Sequence, residues 1–147
     1  MSGNAKVYVE TTVISYLAAR PSPELIASAH QQITQDWCAT KRTHFDLFVS
    51  DLVRKEAAAG DAAAANRRLL IVDSISGLVQ GDDARQLAKV LVKQLGLPPR
   101  AAADGAHIAI AVTNGMDYLL TWNCRHIANA QLRSKIDEVC RFIRILC

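Results

Sequence analysis

Three acidic residues and one amide stand where strands give way to other structure. Glu10 directly follows the short apolar run Lys6–Val9, and Asn123 lies two residues after Thr121, at the end of the run YLLT. Glu56 sits within two turns of the start of the helix that leaves the run DLFVS, and Asp104 lies near the start of an Ala- and Ile-rich helix. Carboxylates gathered at one place repel one another and are costly to desolvate unless a cation balances them. All-oxygen ligands favour Mg²⁺ or Mn²⁺ over zinc or copper. Such an ion activates water and polarises a phosphoryl oxygen. With no evident Ser or Cys nucleophile, these four residues point to metal-assisted phosphodiester hydrolysis. Taken singly, each has a plainer use: Asp104 as a helix-dipole partner and Glu56 as a solvated helix face.

Convergence of the four depends on the elements that carry them. Lys6–Val9 reads as a strand, and Thr11–Ala19 as a helix broken by Pro21-Ser22-Pro23. Glu24–Lys41 has apolar residues at helical steps, Asp46–Ser50 is a second strand, and Asp51–Ala59 is a helix stopped by Gly60. Asp61 is the expected N-cap of a helix over Asp61–Leu70, and Ile71–Ile75 reads as a short strand or an extended link. Asp82–Leu95 and Arg100–Thr113 are helices, and the run Ile108–Val112 is apolar on every side and so is expected against a sheet. Tyr118–Thr121 is a strand, Ala130–Cys140 a helix and Arg141–Leu146 a final strand.

Apolar strands alternating with helices imply an α/β fold, with a mostly parallel sheet covered on both faces. Right-handed crossovers point every strand the same way, and ligands then sit beyond the carboxyl ends of the strands, near the place where strand order reverses. A chain of 147 residues is expected to form one domain over 1–147. Half of its residues are apolar and 21% are charged, which argues against disorder, and 23 alanines favour helices.

Other classes fall away. Cys38, Cys124, Cys140 and Cys147 form no CxxC pair, so a zinc module is not expected; reduced cytoplasmic thiols are. The polar start Met1–Lys6 does not read as a signal peptide, and no apolar stretch approaches the ~20 residues of a membrane span. There is no Gly-rich phosphate loop and no adjacent acid pair after the first strand. A net charge of +3 is compatible with nucleic acid without requiring it.

Four segments resemble the motifs of PIN-domain proteins, in order and at similar intervals. They are VYVETTVISYL (Val7–Leu17), SDLVRKEAAAGD (Ser50–Asp61), ADGAHIAIAV (Ala103–Val112) and MDYLLTWNCRHIANA (Met116–Ala130). The resemblance covers almost the whole chain. It implies a three-layer α/β/α domain with a parallel sheet and a Mg²⁺- or Mn²⁺-dependent ribonuclease. It further implies the toxin half of a VapBC-type toxin–antitoxin pair, with RNA as substrate, a small antitoxin as partner, and a homodimer.

Glu10, Glu56, Asp104 and Asn123 then become the catalytic and metal-holding set. Thr11 and Thr12 are expected to orient a ligand or phosphate, or to cap the first helix. Trp122 is expected to stack a base or to pack in the core, and Arg125 to pair with a phosphate or to cap a helix end. His107, one turn past Asp104, could contact RNA or donate to a carboxylate, though a His flanked by Ala and Ile is more often a half-buried packing residue, and it is not expected as a metal ligand; Arg67, Arg68 and Arg100 could extend a basic surface. Two positions depart from the resemblance: Glu10 stands where Asp is usual, and Asn123 where many members have Asp. An amide oxygen can ligate but adds no charge. These departures leave room for an alternative, a PIN-fold binding module with weak or no hydrolysis.

Overall fold

A computed structural model of the chain describes residues 3–139 and 144–146. Its centre is strand β1 (Ala5–Val9), whose β-branched and aromatic residues Val7, Tyr8 and Val9 are wholly buried. β1 pairs in parallel with β2 (Phe45–Ser50) on one side and with β4 (Tyr118–Leu120) on the other, in the registers Val7↔Leu47 and Val9↔Leu120. β3 (Ser76–Leu78) adds to β2, and β5 (Arg144–Leu146) to β4, again in parallel, giving the order β3-β2-β1-β4-β5.

The connections run from β1 outward to β3, then back across to β4 and outward to β5. Right-handed crossovers therefore place the helices of the first leg on one face and those of the second leg on the other. The first leg carries α1 (Thr11–Ala18), α2 (Leu25–Lys41), α3 (Asp51–Ala57) and α4 (Ala62–Asp73), and α1 packs against each of the other three. The second leg carries α5 (Asp82–Leu95), α6 (Ala102–Thr113) and α7 (Arg133–Val139), and α5 packs against both α6 and α7. The expected α/β class with its parallel, helix-covered sheet is what the structure contains. Strand order reverses between β1 and β4, so the carboxyl ends of these two strands flank the crevice.

Local chemistry sets the helix ends. The Ser50 hydroxyl caps α3 by accepting from Val53 N, and Asp61 caps α4 by accepting from Ala64 N. Gly96 closes α5 at φ +64, a conformation that costs any side chain with a Cβ. Along α6, Ile108–Ala111 of the apolar run are all buried and Val112 is partly so, and His107 is buried beside them. Its small residues serve the core: a Cβ on Gly105 would lie 3.3 Å from Val92 on α5.

Two expectations shift. The short strand or extended link expected over Ile71–Ile75 comes one step too early, because α4 runs on to Asp73 and the strand begins at Ser76. Ala65, Leu69 and Val72 recur at helical spacing and turn one side of α4 inward, so the helical period outweighs the β-branched local run. The last helix begins at Arg133 and not at Ala130, after turns over residues 124–132. The final strand is present over Arg144–Leu146; Cys140, residues 141–143 and Cys147 lie outside the described residues, as do Met1 and Ser2 of the N-terminal segment.

Arg67 and Arg68 do not extend a basic surface. Arg67 Nε donates to Ala18 O at 3.2 Å, at the end of α1. Arg68 Nε donates to Ala57 O at 2.9 Å and its Nη2 to Ala59 O at 2.6 Å, closing the end of α3. These cations satisfy carbonyls that a helix C-terminus leaves open, where the dipole also favours positive charge. Replacing Arg68 with Ala is expected to lower stability by about 1–2 kcal/mol through the lost charge-assisted bonds. Urea unfolding checks this: the midpoint should fall with the slope unchanged, and an unmoved midpoint would show that the clamp contributes nothing.

Candidate metal centre

Glu10 is the residue at which β1 becomes α1. Its backbone N–H still donates to Leu120 O of β4 at 3.0 Å, while its own carbonyl accepts from Val13 N of α1 at 3.0 Å. This double attachment fixes Cα at the strand-order reversal and turns the side chain into the crevice. Only 4% of Glu10 is exposed. Its Oε1 accepts from Thr12 Oγ1 at 2.5 Å and from Thr121 Oγ1 at 2.6 Å.

Glu56, on α3, is anchored the same way. Its Oε1 accepts from Thr11 Oγ1 at 2.5 Å and from His107 Nε2 at 2.7 Å. Asp104, in the first turn of α6, accepts at Oδ1 from Asn123 Nδ2 at 2.9 Å. Each carboxylate is thus held by the protein through one oxygen. Among the described residues no side chain or backbone group bonds the second oxygen of any of the three, and no enclosed side-chain polar atom is unpartnered. Those second oxygens are therefore the ones left open to the crevice.

Glu10, Glu56, Asp104 and Asn123 line one open cleft of about 460 Å³ together with Thr11, Thr12, Ser15 and Tyr16. Ligand atoms of Glu10, Glu56 and His107 lie within 4.8 Å of one another. His107 is nevertheless poorly placed to ligate. It is 1% exposed, and both ring nitrogens are engaged, Nε2 by Glu56 and Nδ1 by the Tyr8 hydroxyl at 2.7 Å. Asp104 stands outside that tight group but faces the same cleft. Among the described residues no Lys or Arg pairs with any of the three carboxylates. Open carboxylate oxygens without a protein counter-ion suit a hard divalent cation that keeps part of its water shell.

The four residues expected at the site are brought together, but some take other parts. The Asn123 amide oxygen accepts from Arg125 N at 3.2 Å and His126 N at 3.0 Å, so the oxygen that was to ligate is turned into the following turn. The amide nitrogen faces Asp104 instead. A flipped amide would set oxygen against carboxylate and nitrogen against backbone N–H, so the orientation is fixed by its neighbours. Thr11 and Thr12 do not cap α1; their hydroxyls orient the carboxylates, Thr11 donating to Glu56 and Thr12 to Glu10, so those protons are not free for a phosphate. Trp122 is not a free stacking platform. Its ring lies on His30, centroids 4.1 Å apart and 15° from parallel, and its Nε1 donates to Thr34 Oγ1 at 2.8 Å. The Arg125 side chain is exposed beside the site.

Sequence reasoning missed Thr121, Tyr8 and Ser50. Thr121 Oγ1 donates to Glu10 and accepts from Asn123 N at 2.9 Å. Tyr8 bonds both His107 and the Ser50 hydroxyl, the latter at 2.8 Å. A signal existed: Tyr8 and Thr121 are polar-tipped residues inside otherwise apolar strands, and such tips need buried partners.

The carboxylates differ in charge balance. Burial pushes the Glu56 carboxyl up, but the hydrogen bond and attraction of the His107 ring, with the Thr11 hydroxyl, outweigh it and hold it below its ordinary value. For Asp104 burial wins, aided by the nearby Glu56 charge and only partly offset by Asn123, His126 and His107, so its carboxyl lies above its ordinary value.

Comparison with protein-family models gives no match, and no curated protein matches the chain. Among solved structures, the fold is similar to VapBC2 from Rickettsia felis bound to a DNA fragment from their promoter. The TM-score is 0.57 at 9% sequence identity, over 95% of this chain and 96% of that one. At that identity the likeness is one of fold. No helix among the described residues is long and apolar enough to cross a membrane.

The opposed carboxyl shifts give opposite stability signs in metal-free buffer. Glu56, depressed in the folded state, adds stability above its ordinary value of 4.5, lost as pH falls through the lower folded value. Asp104, raised above 3.8, penalises the fold at neutral pH, and the penalty fades as pH falls toward 3.8. In EDTA at pH 7, Glu56→Gln is expected to lower the melting temperature and Asp104→Asn to raise it, both differences shrinking in acid. Thermal melts across pH check this, and shifts of the same sign for both variants would contradict it.

Proposed function

We propose that the chain is a PIN-type, Mg²⁺- or Mn²⁺-dependent endoribonuclease, with residues 1–147 acting as one unit. The observation that carries this reading is the anchoring of three carboxylates, each through one oxygen, around a cleft at the strand-order reversal. The four motif resemblances and the fold likeness to VapBC2 support it. Glu10, Glu56 and Asp104 would hold the cation, and Asn123 would hold Asp104. When bound, the ion lowers the pKa of a water and polarises the scissile phosphoryl group. The chain's own contribution is to fix the carboxylates before substrate arrives. A carboxylate of this set would orient the attacking water and take up its proton. Arg125 is exposed and its backbone N–H bonds Asn123 of the cleft, and in this reading its side chain would meet a phosphate oxygen. In this reading the protein is a cytoplasmic toxin, forms a homodimer, and is silenced by a small antitoxin.

A second reading keeps the groove without efficient hydrolysis. The turned Asn123 amide favours it, since the site then offers three ligating side chains and no fourth. RNA cleavage measured with Mg²⁺, with Mn²⁺ and with EDTA separates the two. The nuclease should cut only with metal, and Asp104→Ala should reduce the rate by on the order of 10²-fold or more, as loss of one preorganised charged group does. Cleavage surviving both EDTA and the substitution would overturn the proposal. Metal and RNA binding without turnover would establish the binding module instead.

A further inference from the structure

We propose that Tyr8 and His107 are positioning residues: a buried line from Ser50 through Tyr8 and His107 grips one oxygen of Glu56 and keeps the other open for a divalent ion. This rests on the nuclease reading of the cleft. The line starts at the α3 N-terminus, where Val53 N–H donates to Ser50 Oγ at 3.2 Å. It continues through Tyr8 at 2.8 Å and His107 Nδ1 at 2.7 Å, and ends with His107 Nε2 at 2.7 Å from Glu56 Oε1. Ser50, Tyr8 and His107 are all at least 98% buried.

Donor and acceptor rules fix its last step: the Glu56 oxygen is an acceptor, so Nε2 donates to it. The Tyr8 hydroxyl stands between His107 Nδ1 and Ser50 Oγ and can serve one as donor and the other as acceptor, and among the described residues no buried side-chain polar atom of the line lacks a partner. The line spans β1, β2, α3 and α6, tying the carboxylate to elements that the core already makes rigid. Such groups, which orient a ligand from behind, commonly change metal affinity by 10–100-fold when lost.

Mn²⁺ binding by calorimetry, RNA cleavage and imidazole ¹⁵N–¹H spectra of the full chain test the proposal. Tyr8→Phe keeps the ring in place and removes the hydroxyl. His107→Leu removes both ring nitrogens, while His107→Gln retains one donor for Glu56 and one acceptor for Tyr8. Tyr8→Phe and His107→Leu are expected to weaken Mn²⁺ about 10–100-fold and to lower kcat with KM for RNA nearly unchanged. His107→Gln should recover most of the loss. In the unsubstituted protein, His107 Nε2 should carry a proton hydrogen-bonded to Glu56. A His107 Nε2 without a proton, a result that needs no variant to fold, would overturn the proposal. Tyr8→Phe and His107→Leu binding Mn²⁺ as tightly as a functional parent would overturn it while leaving the nuclease reading intact. A parent that binds no Mn²⁺ and cuts no RNA would sink both.

Discussion

Three carboxylates at the carboxyl end of one sheet repel one another and lose hydration, and no Lys or Arg among the described residues pairs with them. The fold holds them there regardless. The means is an arrangement of hydrogen-bond donors other than Lys and Arg: Thr12 and Thr121 on Glu10, Thr11 and His107 on Glu56, Asn123 on Asp104. These donors make each carboxylate tolerable while leaving its second oxygen open. A Lys or Arg in the same places would satisfy the site more fully and leave nothing for a cation to gain. The raised Asp104 carboxyl is the residue of that unsatisfied balance.

That arrangement explains what the sequence made legible. Glu10 and Asn123 could be placed because both follow apolar strands, and parallel strands put their ends on one edge. Glu56 and Asp104 could be placed because each lies within two turns of a helix start that faces the same edge. The α4 N-cap at Asp61 was readable from one side chain. What was not readable depends on rotation and distance. Whether a Thr caps a helix or turns to a carboxylate is decided by partners far away in sequence, as Thr121 reaching Glu10 illustrates. The Asn123 amide likewise turns on two backbone N–H groups of a local turn. The misplaced third strand has a different cause: residues 71–75 suit a strand by composition, and only the inward side shared by Ala65, Leu69 and Val72 carries the helix on to Asp73.

Fold and chemistry also separate in how they tolerate sequence change. A sheet order and its handedness need only apolar strands, helical periodicity and right-handed crossovers, which many sequences supply. A fold likeness at 9% identity is therefore unsurprising. Function resides in the particular groups at the strand ends. Here those groups are supported by Tyr8 and Ser50, which belong to the strands themselves. Substitution of these strand residues would act on the site as much as on the core, so the usual division between stabilising strands and functional loops does not hold for β1.

Glu10 shows how the surroundings hold an acid one methylene longer than Asp. The longer side chain has one more torsion, and free rotation about it would let the carboxylate wander and would lose entropy on ordering. Two hydroxyls on the same oxygen remove that freedom in advance: Thr12 from the first turn of α1 and Thr121 from the end of β4. They reach Glu10 from both sides of the β1–β4 seam, and the Glu10 N–H bond to Leu120 O locks the seam itself. The extra methylene is thus converted from a source of disorder into reach across the crevice. An Asp at this position would pull its carboxylate back along the chain and away from at least one of those two hydroxyls. Thr12 and Thr121 therefore fit Glu10 as a set: the length of the acid and the placing of the two hydroxyls depend on each other.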